Sequence, residues 1–486
     1  MIAVWAVSHL SRLLCQNNRR TDQAATLRHR PKESTTIDDD LPRDRERLVN
    51  RIDNGVSRQL RKPTLRILWT RLKEHPLARV GPGLITGAAD DDPSGIATYS
   101  QAGAQFGLNM LWTMPLALPL MAAIQSICAR IGRVTGKGLA ANIKLAFPPY
   151  VLHGVVALLL TANILNIAAD VAAMGAAAEL VSGVNRHLMT LFLVVGTLLL
   201  QVFIPYHRYV FFLKWLTLSL LAYAGVLFTV QVPWGQVALR TVWPQFKWNA
   251  AAATVVVGIF GTTISPYLFF WQASEEVEDM RKRHAEVPLV SDPRRAHAEL
   301  RRISWDTWSG MFYSDLIAFF IMLATAVTLN RAGITDINTA AQAASALRPL
   351  AGHFAFLLFT LGMLGVGLIG VPVLAGSGAY ALSEAMGWNW GLERRAIDAR
   401  GFYGVIAVSV LAALVIQYTP ISPMKALFWS AVINGIVAVP LMLVIILLAS
   451  KQTIMGAYTA SRPMIFLAWS ATVVMGLAAI WMLIPD

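Results

Sequence analysis

Three adjacent carboxylates, Asp90, Asp91 and Asp92, stand in the stretch GPGLITGAADDDPSGIATYSQAGAQFG (81–107), which begins and ends like an apolar membrane span. Pro93 follows them directly, with Gly87 and Gly95 on either side. A carboxylate at membrane depth costs roughly 3 kcal/mol on insertion scales, so it normally faces a cavity or a cation. Proline has no backbone N–H and glycine tolerates unwound backbone, so these residues predict a span broken in its middle. A broken span frees backbone carbonyls, and carbonyls beside an aspartate can receive a positively charged solute. The alternative is a water-exposed loop between two short helices. A crossing takes about 20 residues, and the apolar flanks here fit only as one interrupted span.

The chain around this stretch has 486 residues, 56% of them hydrophobic and 14% charged. Such a composition describes a polytopic helical protein whose first partner is the lipid bilayer. The formal net charge of +13 is no nucleic-acid signature, since most of the excess sits in the first eighty residues and a few short loops. Cys15 and Cys128 give neither a disulfide framework nor a zinc-ligand spacing. No Walker-type phosphate loop is present, so nothing points to ATP-driven work, and no cofactor is expected.

Residues 16–80 are polar and strongly charged, Asp38-Asp39-Asp40 among many arginines, and read as a largely disordered or surface-lying cytosolic tail. Residues 1–15 lack the basic start and cleavage site of a signal peptide. Within 59–79, Leu65, Ile67, Leu68, Trp69 and Leu72 among arginines fit an amphipathic helix on the inner leaflet or a solvated charged helix. The division is therefore a tail, 1–80, and a transmembrane domain, 81–486.

After the first span, apolar runs recur at about 109–129, 150–180, 188–205, 211–230, 251–273, 308–329, 353–380, 401–417, 427–449 and 464–484, which makes eleven spans. Lysine and arginine set their orientation. One set of loops carries Arg130, Arg133, Lys137 and Lys144, then the Arg281–Arg302 cluster, then Arg394, Arg395 and Arg400. The opposite set carries Arg186, or Arg240 with Lys247. The positive-inside rule then places the N-terminus in the cytosol and the C-terminus outside.

The sixth span repeats the anomaly of the first: VVVGIFGTTISPYLFFWQASEE holds Gly258, Gly261, Thr262, Thr263, Ser265 and Pro266 inside an apolar run. Taken alone, Pro266 fits a mere kink in a packed helix. Interruptions in spans one and six together fit an inverted repeat of five plus five spans, with the eleventh added. Their half-helix ends offer carbonyls to a cation and amides to an anion, and Asp92 favours the cation.

At this point the residues resemble the Nramp family of divalent metal transporters, which share the LeuT-type fold. Gly81-Pro82-Gly83 lies at the family's distance from Asp92-Pro93, and Gln101–Gly107 followed by Leu111-Trp112 resembles its continuation. Gln125-Ser126, Ala129-Arg130, Gly132 and Val134-Thr135-Gly136-Lys137 resemble the end of its second span. The likeness runs from about residue 81 through the sixth span and more faintly through the tenth. It implies an all-α membrane protein of the LeuT type, a transporter and no enzyme. The metal position would be lined by Asp92, the carbonyls of Ala89 and Thr262, and by Ser265 and Gly95.

Departures from the family matter as much. Its Asp-Pro-Gly-Asn reads Asp92-Pro93-Ser94-Gly95, its Met-Pro-His reads Ser265-Pro266-Tyr267, and a further histidine reads Gln272. This pattern is similar to the divergent Nramp-related magnesium transporter branch. Without a thioether only oxygen ligands remain, and the smaller residues predict a wider site. Magnesium dehydrates reluctantly and keeps several waters, which suits such a site; manganese also accepts oxygen. With both histidines gone, transport without proton coupling is expected. The alternative is a proton-coupled manganese or iron importer of the ordinary Nramp type.

Asp170 stands where the family has an acidic residue implicated in proton movement, but the glutamate three residues on is Ala173. A hydrogen-bonded structural carboxylate is the preferred reading of Asp170, with a proton site as the alternative, and Asp315 in span seven is similarly placed. Asp90 and Asp91 are expected to form an acidic vestibule beside Asp92, with Tyr267 near the ion. Glu275, Glu276, Glu278 and Asp279 read as a solvated helix end or an exit lined for cations. From other classes, a carrier of organic cations or amino acids would need aromatic walls, for which Tyr267 and Tyr99 are the candidates. A membrane-embedded enzyme would need a catalytic motif beside Asp92 and Asp170, and none accompanies them. A bacterial-type inner membrane is the expected location.

Overall fold

The structure is a computed structural model, and it describes residues 86–484 except 88, 205–212, 214–215, 217, 246–248, 283–286, 393 and 417–420. The tail 1–80, the segment 59–79 and Gly81–Gly83 lie outside the described residues, as does Lys247. Among the described residues the chain forms helices and no strands.

The helices that matter for the site are α1 (Pro93–Phe106), α2 (Thr113–Thr135), α3 (Leu139–Ala146), α4 (Pro149–Ser182), α5 (Arg186–Phe203), α6 (Ala250–Thr263), α7 (Pro266–Lys282), α8 (Ala296–Thr325), α9 (Ala355–Met386), α10 (Arg400–Ile416), α11 (Pro423–Ser450) and α12 (Arg462–Trp481). Their starts are written in proline. Pro93, Pro149, Pro266 and Pro423 each open a helix, where a missing N–H is harmless and φ is already helical. Among the described residues eight helical stretches are long and apolar enough to cross a bilayer, and Arg400–Val415 is a shorter apolar helix. These follow the expected spans closely; the fifth lies partly outside the described residues.

Both breaks fall where expected. In the first span the chain is helical at Thr86, Gly87, Ala89 and Asp90, bends at Asp91, and restarts at Pro93. In the sixth it is helical to Thr263, leaves helix at Ile264 and Ser265, and restarts at Pro266.

Burial separates centre from periphery. The apolar stretch of Ala250–Lys282 is 94% buried, against 22% for α5 and 28% for α12, so the broken sixth span lies innermost and the other two face lipid. On α12, Phe466, Trp469, Val473, Leu477 and Ile480 are all exposed at helical spacing, an outward apolar stripe suited to acyl chains. Each broken span is clamped backbone to backbone. A Cβ on Gly261 would run into the carbonyl of Ala431 and the backbone of Gly435 on α11. One on Gly87 would strike the backbone of Gly310 on α8. Small residues let helices approach this closely and lock by van der Waals contact.

Candidate functional site

Asp92 is the N-cap of α1: its backbone is extended (φ −74°, ψ 172°), and its Oδ1 accepts the Gly95 N–H at 3.0 Å and the Ser94 hydroxyl at 2.5 Å. This ties one carboxylate oxygen to the positive end of the half-helix. The other oxygen, Oδ2, points across the break, where it accepts Asn166 Nδ2 from α4 at 3.0 Å and the Tyr267 hydroxyl from α7 at 3.2 Å. Tyr267 also reaches the carbonyl of Ala89 at 3.2 Å. Asp92, Ala89, Thr262, Ser265 and Tyr267 are all fully buried or within 1% of it. The sixth-span break supplies the opposing wall: Thr262 Oγ1 is 3.3 Å from Ser94 Oγ, and Ser265 Oγ donates to the carbonyls of Thr262 (2.6 Å) and Gly261 (3.0 Å). A third wall is α9, since a Cβ on Gly370 would lie 3.2 Å from Asp92 Cβ. The two breaks therefore face each other around the Asp92 carboxylate, with carbonyl and hydroxyl oxygens and the Asn166 amide N–H as its neighbours.

Among the described residues no group of three or more His, Cys, Asp or Glu could hold a metal. What the breaks present beside the Asp92 carboxylate is carbonyl and hydroxyl oxygen.

Four readings of the residues need correction. Asp90 and Asp91 do not flank Asp92 as a vestibule: Asp90 Oδ2 and Asp91 Oδ1 take the Ser314 hydroxyl on α8, at 2.6 and 3.1 Å. Successive residues at a helix end point different ways, and the close Gly87–Gly310 crossing brings α8 within their reach. Gly95 does not widen the site. A Cβ there would meet Tyr99 Cε2 at 3.1 Å and Thr262 Oγ1 at 3.3 Å, so the ring one turn on has taken the space. Asp170 is not hydrogen-bonded: buried beside alanines on α4, neither of its oxygens has a partner among the described residues. The run after span six is no solvated helix end. Glu276 is wholly buried and pairs with Arg302 at 2.8 Å, Glu278 accepts the Tyr380 hydroxyl at 2.6 Å, and Asp279 lies 3.6 Å from Arg133. Three of these acids, Glu276, Glu278 and Asp279, are thus held by side chains of other helices. Ser265 spends its hydroxyl proton on its own helix, so only its lone pairs face outward.

Three participants were missed. Asn166 and Ser430, 74 and 338 residues from Asp92, join its network, Ser430 through a 2.7 Å bond to Asn166 Oδ1. Gln272 bonds Thr86, holding the first half of span one to α7. A buried asparagine in an apolar run was the only available signal for Asn166.

The arrangement of two interrupted spans around a central carboxylate is that of a LeuT-type transporter, and the comparisons name the group within it. The model of the Nramp family, natural resistance-associated macrophage protein-like, matches residues 83–485, and the chain belongs to that family. A divalent metal cation transporter MntH of Acidiphilium cryptum (strain JF-5) is 26% identical over 389 residues, 79% of this chain and 84% of that protein. One of Verminephrobacter eiseniae (strain EF01-2) is 29% identical over 367 residues, 72% and 80% of the two chains. Among solved structures, an Eremococcus coleocola manganese transporter superposes with a TM-score of 0.67 at 16% identity, covering 86% of this chain and 88% of its own. The nucleobase-cation-symport transporter Mhp1 gives 0.54 at 14%, covering 83% and 92%. At these identities the superpositions speak for the fold alone.

Proposed function

We propose that this protein carries divalent metal cations across a bacterial-type inner membrane, moving magnesium in preference to transition metals and without obligatory proton coupling. The observation that carries the reading is Asp92: one buried carboxylate at the meeting of two helix breaks, with neither sulfur nor imidazole among its bonded neighbours. Relatives named as divalent metal cation transporters support the cargo class. The absence of a thioether and an imidazole from the sixth-span break supports a hard ion over a soft one. Asp92 serves as the fixed charge, the carbonyls of Ala89 and Thr262 and the lone pairs of Ser265 as neutral ligands, and Tyr267 as a donor that satisfies Asp92 when no ion is near. A cleft of about 330 Å³, lined by Ala97 and Gln101 of α1, by Asp336 and by Lys425, Phe428 and Trp429 of α11, lies further along α1. The basic loops support a cytosolic N-terminus and tail, 1–80.

A second reading, proton-coupled manganese import, is favoured by one observation, the unpartnered buried carboxylate of Asp170. Uptake into proteoliposomes separates the two. The first reading expects magnesium entry that follows its gradient and the membrane potential and changes little with an inward proton gradient. Luminal acidification that tracks manganese entry and vanishes in Asp170→Asn would establish the second.

A further inference from the structure

We propose that Asn166 is itself a ligand of the transported dication, its side-chain amide turning over on loading so that Oδ1 replaces Nδ2 beside Asp92. This rests on the reading of Asp92 as the ion's carboxylate.

Asn166 is wholly buried and bridges two helices. Its Nδ2 donates to Asp92 Oδ2 at 3.0 Å, and its Oδ1 lies 2.7 Å from Ser430 Oγ on α11. Ser430 Oγ also lies 2.8 Å from the carbonyl of Leu427. A hydroxyl has one proton and two lone pairs. In this orientation both Asn166 Oδ1 and Leu427 O call on that proton, and one of them goes without. With the amide reversed, Nδ2 donates to Ser430 Oγ and Ser430 donates to Leu427 O, so the hydroxyl proton has a single claimant. The amide oxygen then faces Asp92 Oδ2, and two buried oxygens at that distance repel.

A cation between them reverses the sign. Adjacent ligands of an octahedral magnesium ion with bonds of about 2.05 Å stand roughly 2.9 Å apart. The 3.0 Å separation of Asn166 Nδ2 and Asp92 Oδ2 already matches that edge. The two amide orientations have the same outline, so the exchange needs no backbone movement. Unloaded, the amide N–H stands in for the ion on Asp92; loaded, the amide oxygen binds it and the surplus N–H passes to Ser430. A neutral carboxamide oxygen adds a hard donor without a second negative charge, which suits a hard dication.

The test is magnesium and manganese affinity, read from metal-dependent thermal stabilisation of the purified full chain in detergent, with metal-free melting temperature and size-exclusion profile as controls. Asn166→Leu should lose on the order of 10–100-fold in magnesium affinity. Asn166→Asp keeps an oxygen and lacks the N–H, and should bind at least as tightly as wild type. Ser430→Ala removes the acceptor needed only in the loaded arrangement and should weaken binding roughly tenfold. If Asn166 merely held Asp92 as a donor, Leu and Asp would weaken binding alike and Ser430→Ala would leave it unchanged; either result overturns the proposal. If Asn166→Leu fails to fold, the Asp and Ser430→Ala variants decide between the same outcomes. A wild type unaffected by either metal, or an Asp92→Ala variant that binds normally, refutes the reading of the site, and this proposal with it.

Discussion

Removing Arg302 should open the end of the molecule that carries the basic loops. There Arg302 Nη2 meets Glu276 Oε2 at 2.8 Å and its Nε meets Glu299 Oε2 at 3.0 Å, while Arg133 reaches the same Glu299 oxygen at 2.8 Å. The network joins α7, the second half of the broken sixth span, to α2 and α8. Arg302→Met leaves Glu276, wholly buried, without its guanidinium. Breaking a buried pair by deleting one partner costs about 3–5 kcal/mol. At about 1.4 kcal/mol per tenfold, that is a shift toward the open arrangement of about a hundredfold to a few thousandfold. Arg302 is 26% exposed, so water already shares its charge and the lower figure applies, about a hundredfold. The assay is thiol labelling at Ser274→Cys in a Cys15→Ser, Cys128→Ser background. Ser274 is 1% exposed and bonded to Glu384 at 3.3 Å, so a probe reaches it only through opening, and its labelling rate follows the open fraction. Arg302→Lys, which keeps the charge, should label far more slowly than Arg302→Met. Equal labelling of Arg302→Met and the parent, with both monodisperse, would refute the idea that this network holds the end shut.

Asp92→Ala should abolish metal-dependent stabilisation and uptake, whereas Asp91→Ala, turned toward Ser314, should keep both; the reverse result in a filter-uptake assay would place the ion one residue earlier. Ser265→Met should raise cadmium uptake relative to magnesium in direct competition, because sulfur gains more from a soft ion than from a hard one. Gly95→Asn should destabilise the protein by about 1–3 kcal/mol through overpacking against Tyr99, and Tyr99→Ala in the same chain should recover part of the lost melting temperature.

What the sequence decided is local. Apolar runs of crossing length, prolines at helix starts and a proline directly after Asp92 fix where helices run and where the first and sixth spans stop, because each depends on residues within a turn or two. That Asp92, Ala89, Thr262 and Ser265, where we propose the ion binds, lie together was legible for the same reason: every member sits at one of two breaks. Even the loss of free space at Gly95 was written there, since Tyr99 stands four residues on and one helical turn stacks it over the glycine. Tertiary packing alone decided the partners. Which way Asp90 and Asp91 turn depends on α8 pressing its Gly310 against Gly87 and carrying Ser314 to them, 224 and 223 residues away. Asn166 meets Asp92 because α4 packs along both α9 and α11, a neighbourhood no periodicity encodes. Glu276 and Asp279 look solvated in one dimension and meet cations in three, for Arg302 and Arg133 belong to other helices. A hydrophobic pattern says which face is hidden; only the assembled bundle says what it is hidden against, and in a low-dielectric interior that neighbour sets the chemistry.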